Sequence, residues 1–268
     1  MAANGPGDHL SIPLHQRARL SVADTPGAAG YVLDDVPYGC ALAEVSAHIL
    51  AQRHAVVLGF RELQPGLERD LRAGQAAALA MALAELASGQ SPATTARQTL
   101  QAQHPVRGPE VMIRTDGSAD KQTGALSLGY LLNAQPYALS LRGVAGHEGL
   151  AEREAIRLAL LHAQVLGYTR FHVQSDHMFH VRRYDEALIH RGRRKSESLE
   201  RLDAMVDALG PQVTFEYVSS LNTGAPHRMA LHALALDRLA RNEALSRAQA
   251  VALRRVHYAL KAGGDVLY

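Results

Sequence analysis

The chain has little of what several classes of protein depend on. It contains no Trp, and aromatic residues make up 5% of its 268 residues, so Leu, Ala and Val must fill most of any core. A single cysteine, Cys40, excludes an internal disulfide and fits a reducing, cytoplasmic compartment. No run of about 18 apolar residues occurs, so we expect no membrane span. The net charge is only +2, so overall charge points to no particular partner.

Three acids lie at informative places in the pattern of apolar residues. Asp116 and Asp176 each follow a short apolar strand pattern, and Glu152 lies in the first turn of a predicted helix. A fold that joins such elements can bring carboxylates from distant parts of the chain to one point. Clustered carboxylates repel one another unless a cation lies between them, and hard oxygen ligands favour Mg²⁺ or Mn²⁺. The acids therefore predict a divalent metal site.

The periodicity after residue 109 predicts an alternation of strands and helices in the order β-β-β-α-β-α-α-β-α. Predicted strands cover 111–115, 125–132, 137–144, 171–174 and 213–218, and predicted helices cover 150–166, 177–189, 199–209 and 229–240. One more helical pattern over 244–260 is expected either to dock on the body or to form an oligomer contact.

The first hundred residues contain an internal repeat. The segment 42–59 matches 150–167 at a constant offset of 108, with 11 of 18 residues identical. We infer that residues 16–105 form a shortened second copy of the same unit, with a mixed sheet and a helix over 42–58. The alternative is an unrelated helical lobe that shares one amphipathic helix. Asp24 and Glu44 match Asp116 and Glu152, but 63–66 carry no acid, so we expect this copy to be structural or substrate-binding.

The second half resembles the ribonuclease H family. The resemblance rests on Thr115-Asp116-Gly117-Ser118 after the first strand, Ala151-Glu152 in the first helix and Ser175-Asp176 after a later strand. It implies an α/β fold with a ribonuclease H-like mixed β-sheet flanked by helices. The internal repeat indicates that this unit is duplicated in the chain. The implied division is an accessory unit over 1–108, a catalytic unit over 109–241 and a helical extension over 242–268.

The resemblance also implies an activity and roles for the acids. A metal-dependent endoribonuclease of this kind hydrolyses the RNA strand of RNA–DNA hybrids with two Mg²⁺ or Mn²⁺ ions. Asp116 would bridge both ions, Glu152 would hold one, and Asp176 would contact the ion on the substrate side. The family's fourth acid, at the start of the last helix, is replaced here by His232, or by His227 if the alignment shifts. With His232 as the ligand, His227 would lie in the preceding loop and assist proton transfer or product release.

A basic cluster follows the helix that Asp176 begins. It is interpreted as a surface that grips the phosphates of a nucleic acid, or else as a solvated loop. Its proposed binding residues are Arg182, Arg183, Arg191, Arg193, Arg194 and Lys195. Few aromatics are available for stacking, so we expect recognition of backbone shape and 2′-hydroxyls, to which Ser118, Asn133 and Gln135 are polar candidates.

Two other functions remain open. The replaced fourth acid and the degenerate first copy favour a catalytically weak nucleic-acid-binding protein that keeps the ribonuclease H fold. A 3′-exonuclease on the same fold is a further alternative, although Asp116 lacks the Asp-x-Glu pattern of those enzymes.

Overall fold

The structure is a computed structural model that describes residues 17–41, 45–67, 70–89, 93–104, 106, 108–184 and 196–263. The first sheet contains β1 (Arg17–Thr25), β2 (Ala28–Leu33), β3 (Val36–Cys40) and β4 (Glu62–Pro65). The second contains β5 (Glu110–Ala119), β6 (Ala125–Leu132), β7 (Gln135–Ala145), β8 (Arg170–Ser175) and β9 (Val213–Tyr217). The helices are α1 (Ala47–Leu58), α2 (Leu71–Ala87), α3 (Thr94–Gln103), α4 (Glu148–Leu166), α5 (Met178–Tyr184), α6 (Glu197–Leu209), α7 (Gly224–Ala240) and α8 (Arg247–Lys261).

The two sheets share one topology. Their strand orders are β3-β2-β1-β4 and β7-β6-β5-β8-β9. In each sheet the first three strands are antiparallel neighbours, and the fourth strand runs parallel to the first. The prediction of an α/β fold with a mixed sheet is confirmed, and the first half of the chain is not an all-helical lobe. Among the described helices, none is both long and apolar enough to cross a membrane.

The repeat extends into helices whose sequences show little similarity. A Cβ added at Gly30 of β2 would lie 2.0 Å from the carbonyl oxygen of Ala73 in α2, and one at Gly129 of β6 would lie 2.0 Å from that of Pro226 in α7. Both α2 and α7 have 17 residues, and their first residues are 153 positions apart. The first residues of α3 and α8 are also 153 positions apart, although α3 has 10 residues and α8 has 15. These matches make α7 the counterpart of α2, and α8 the counterpart of α3. The first copy has no described counterpart of α5, α6 or β9.

The last helix of each copy packs on the other copy. Arg254 of α8 donates from Nε to the carbonyl oxygen of Val57, and Gln101 of α3 donates from Nε2 to that of Val165, an equivalent contact. The side chains of His257 and Tyr38 are hydrogen-bonded at 2.7 Å across the same interface. Residues of α7 and α8 belong to the hydrophobic core of the first sheet, and residues of α2 and α3 belong to the core of the second. The helix predicted over 244–260 therefore docks on the body.

The register of β1 corrects the alignment of Asp24 with Asp116. Ala23 pairs with Gly30 as Asp116 pairs with Gly129, so Ala23 is the structural counterpart of Asp116. A shift of one residue turns a side chain to the other face of a sheet. Asp24 accordingly accepts a hydrogen bond from the backbone N–H of Ala47 at 2.6 Å, at the start of α1. The first copy thus lacks the first-strand acid, while its Glu44 lies outside the described residues.

Candidate metal centre

Asp116 lies within β5, on the face that α7 covers. Its side chain is buried, and its partner across the strand pair is Gly129, which contacts α7. The next residue, Gly117, faces α4: a Cβ there would lie 2.3 Å from the backbone nitrogen of Glu152. Only glycine permits this approach, so the Asp-Gly sequence brings the first turns of α4 against the strand. The local sequence thereby places Glu152 beside Asp116.

Asp176 reaches the same point from β8. This strand runs parallel to β5, and parallel neighbours end at the same edge of a sheet. One ligand atom from each of Asp116, Glu152 and Asp176 lies within 4.8 Å of the others. The structure therefore brings together the three acids that the sequence singled out.

Burial dominates the electrostatics of this cluster. It raises the pKa of Glu152 well above its usual range, and the hydrogen bond and negative charge of Asp116 raise it further. The backbone N–H of Gly117 acts in the opposite direction. The Oε2 atom of Glu152 is buried and has no hydrogen-bond partner within the described part of the chain. A buried oxygen without a partner, among hard oxygen donors, fits a divalent cation such as Mg²⁺ or Mn²⁺.

Two residues at the start of α7 contact the aspartates. His227 Nδ1 lies 2.7 Å from Asp116 Oδ2, and this hydrogen bond raises the pKa of the half-exposed His227 ring. Thr223 Oγ1 donates to Asp176 Oδ2 at 2.8 Å. Sequence reasoning missed Thr223, because a threonine at the start of a helix is an ordinary capping residue.

His232 is not at this site, so its prediction as a metal ligand is wrong. Five residues along a helix rotate a side chain by about 140°, so His232 and His227 cannot both face the acids. The ring of His232 is buried and stacks on Tyr38, with centroids 5.7 Å apart, beside a cavity between the two copies. Because α7 begins at Gly224 rather than 229, His227 lies on the helix and not in the preceding loop. His227 thus takes the alternative position beside Asp116.

The acids open into a pocket with further polar lining. Glu148 and His177 line it, and the His177 ring stacks on His180 with centroids 4.3 Å apart. Sequence reasoning pointed to neither residue. Glu148 carried a usable signal, since it precedes Glu152 by four residues, which places both acids on one face of a helix.

The three polar candidates for nucleic-acid contact differ in their surroundings. Asn133 is in a turn with φ of 55°, where its side chain accepts from the N–H of Met112 at 3.0 Å and donates to Tyr168 Oη at 3.3 Å. Its amide makes hydrogen bonds within the fold, but the residue is exposed, and its binding role stays a prediction. Gln135 is exposed at the start of β7, and Ser118 is partly buried in β5. Neither lines the acid pocket, and their binding role stays a prediction.

The two residues of the basic cluster that the structure describes, Arg182 and Arg183, differ in exposure and in their contacts. Arg182 is exposed on α5. Arg183 is almost buried and donates to both carboxylate oxygens of Asp203, so this ion pair within the fold corrects its prediction as a phosphate contact. The remaining members, Arg191, Arg193, Arg194 and Lys195, lie outside the described residues, and their role stays a prediction.

Ribonuclease H domains are among the solved structures similar to about half of this chain, as the sequence resemblance predicted. The N-terminal ribonuclease H domain of a Mycobacterium tuberculosis protein is 21% identical, with a TM-score of 0.41, over 50% of this chain and 99% of that one. A ribonuclease H1 obtained from compost, solved with an RNA/DNA hybrid, is 18% identical, with a TM-score of 0.38, over 44% and 92%. The ribonuclease H1 of Halobacterium salinarum is 16% identical, with a TM-score of 0.40, over 47% and 97%. No family model and no curated protein matches the chain.

Proposed function

We propose that this chain is a metal-dependent endoribonuclease that hydrolyses the RNA strand of RNA–DNA hybrids with two divalent ions. The observation that carries the proposal is the convergence of Asp116, Glu152 and Asp176 within 4.8 Å. They meet beside β5 and the carboxyl end of β8, two central strands of the sheet with the order β7-β6-β5-β8-β9. Glu152 Oε2 has no hydrogen-bond partner among the residues that the structure describes, which supports a cation at this point.

Each side chain has a role that follows from its position. Asp116, Glu152 and Asp176 would hold Mg²⁺ or Mn²⁺, which when bound supplies an activated water and stabilises the leaving oxygen of a phosphodiester. His227 holds a proton between its Nδ1 and Asp116 Oδ2, and its half-exposed ring can exchange protons with the pocket. The raised pKa of the ring favours its protonated form, whose positive charge offsets part of the negative charge of the acids.

Recognition of a hybrid would rest on its backbone. Arg182 is exposed on the helix that follows Asp176, and the basic residues after it continue the positive charge along the chain. The scarcity of aromatic residues disfavours stacking on unpaired bases. The shape and 2′-hydroxyls of a hybrid duplex are the remaining features that such a surface can read.

The test is a cleavage assay on a labelled RNA–DNA hybrid, beside single-stranded RNA and duplex RNA, in Mg²⁺ and in Mn²⁺. We expect the wild type to cut the hybrid selectively. Asp176→Asn should reduce the rate by about three orders of magnitude, equivalent to about 4 kcal/mol of transition-state stabilisation. Circular dichroism checks that the variant remains folded.

Tight binding of the hybrid without cutting in either metal would instead support the second candidate, a nucleic-acid-binding protein that has lost catalysis. The observation favouring it is that His227 occupies the place next to Asp116 where the family usually has a fourth acid. Full cleavage by Asp176→Asn would contradict the site itself.

If the basic cluster contacts phosphates, the affinity for a hybrid should depend on the salt concentration. Each phosphate contact releases counterions and contributes about 0.9 to the slope of log affinity against log salt on duplex DNA. Changing Arg191, Arg193 and Arg194 together to Gln should therefore weaken hybrid binding and flatten the slope by about three. Fluorescence anisotropy over a salt series measures it. A matched control changes the exposed Arg19, Arg61 and Arg97 of the first copy; an equal effect of both triples would reduce the cluster to a solvated loop.

A further inference from the structure

We propose that Thr223 is a positioning residue that fixes the carboxylate of Asp176 for metal binding, an inference that rests on the proposed function. Thr223 is 1% exposed at the start of α7. Its Oγ1 donates to Asp176 Oδ2 at 2.8 Å and lies 3.2 Å from the carbonyl oxygen of Ser220. A hydroxyl has one proton, and a hydrogen bond to a charged acceptor is the stronger one. The hydroxyl of Thr223 therefore donates its proton to the carboxylate of Asp176.

Thr223 does not perform the usual task of a threonine at this place. A threonine before the first turn of a helix normally accepts a hydrogen bond from a backbone N–H of that turn. Thr223 holds the capping position of α7, but its side chain makes no such bond. Its hydroxyl points to a different part of the chain, 47 residues away in sequence.

The first copy supplies an internal comparison. At the offset of 153, the counterpart of Thr223 is Asp70, and that of His227 is Gly74. Asp70 does cap its own helix, since its side chain accepts from the backbone N–H of Arg72. In the copy that has Ala23 in place of Asp116, this position therefore serves the helix. In the copy with the acids, it serves Asp176.

The first turn of α7 thereby holds both aspartates of the site. Thr223 binds one oxygen of Asp176, and His227, four residues later, binds one oxygen of Asp116. Within the described part of the chain, the other carboxylate oxygen of Asp176 accepts no hydrogen bond and can face a cation. Hydrogen bonds of this kind orient metal ligands, and their loss typically weakens metal affinity by about 10- to 100-fold.

The experiment compares Thr223→Val, which keeps the shape and removes the hydroxyl, with Thr223→Ser, which keeps the hydroxyl. Isothermal titration with Mn²⁺ and the electron paramagnetic resonance spectrum of bound Mn²⁺ are the readouts, without nucleic acid. We expect Thr223→Val to weaken Mn²⁺ binding by about 10- to 100-fold and to change the spectrum. Thr223→Ser should restore both. The matched control, Asp70→Ala, should lower the melting temperature and leave Mn²⁺ affinity unchanged.

Each contrary outcome has a distinct meaning. Wild-type Mn²⁺ affinity in Thr223→Val overturns the positioning role and leaves the proposed nuclease function intact. Weakened binding that Thr223→Ser does not restore, with a lowered melting temperature of the metal-free protein, also overturns it, since the residue would then be structural. Absence of Mn²⁺ binding by the wild type overturns the metal-dependent function, and the positioning role with it.

Discussion

Glu152→Gln is expected to stop hybrid cleavage and, at the same time, to stabilise the metal-free protein. The substitution removes a predicted metal ligand, so the cleavage rate should fall by about three orders of magnitude. The carboxyl group of Glu152 is buried beside Asp116 and Asp176, which raises its pKa from a usual value of 4.5. A group whose folded pKa is raised binds its proton more tightly in the folded state, so the protein loses stability as the pH rises above 4.5. Glutamine has no proton to hold, and the variant avoids this loss.

The size of the gain follows from the pH interval. Between pH 4.5 and 7 the penalty accumulates at about 1.4 kcal/mol per pH unit, so the variant should gain about 3 kcal/mol at pH 7 and almost nothing near pH 4.5. Urea unfolding in EDTA at both pH values measures the difference. Glu154→Gln is the matched control on the same helix, because Glu154 is equally buried but paired with Arg157. That variant should lose stability, and a similar loss in Glu152→Gln would show that Glu152 is a structural residue.

Acid should destabilise the interface between the two copies through buried histidines. Burial lowers the pKa values of His232 and His257 to about 4, and it lowers that of His54 in the same direction. A histidine with a lowered folded pKa takes up its proton first in the unfolded state, so its contribution is intact above pH 6.5 and is lost as the pH falls toward 4. Each of the two histidines near 4 then costs about 2 kcal/mol at pH 5 relative to pH 7.

His232→Leu tests this directly, since Leu79 occupies the equivalent position of α2. Urea unfolding of the variant and the parent at pH 7 and pH 5 isolates the contribution of this one residue, because all other titrations cancel. The difference in unfolding free energy should shift by about 2 kcal/mol in favour of the variant at pH 5. His48→Gln, at an exposed position, is the control. A pH-independent difference would mean that the His232 ring finds a partner for its proton.

The sequence predicted well those features that depend on residues close together in the chain. Acids at the ends of apolar strand patterns indicated Asp116 and Asp176, and the conspicuous match between 42–59 and 150–167 indicated a repeated unit. Each of these signals lies within a single strand or a single helix with its flanking residues. The mixed sheets confirm the fold inferred from them.

The features that the sequence did not predict depend on partners far away in the chain. Arg183 lies in a basic segment and was therefore predicted to contact phosphates. It instead pairs with Asp203, which is 20 residues further along the chain and could not be recognised as its partner from the local sequence. The choice between His227 and His232 depended on where α7 begins, and a difference of a few residues changes which side chain faces the acids. The match of α2 with α7 could not be read from residue identities, because it is a match of position against the sheet.

The last helix of each copy packs on the other copy, and this arrangement affects the order in which the chain folds. The hydrogen bond between Tyr38 and His257 joins residues 219 positions apart, and Leu253 of α8 belongs to the core of the first sheet. That core cannot close until the last helix has left the ribosome. Contacts of such long sequence separation slow folding, since a large loop must be closed before they form. The first copy, although it is synthesised first, is therefore expected to reach its native packing among the last parts of the molecule.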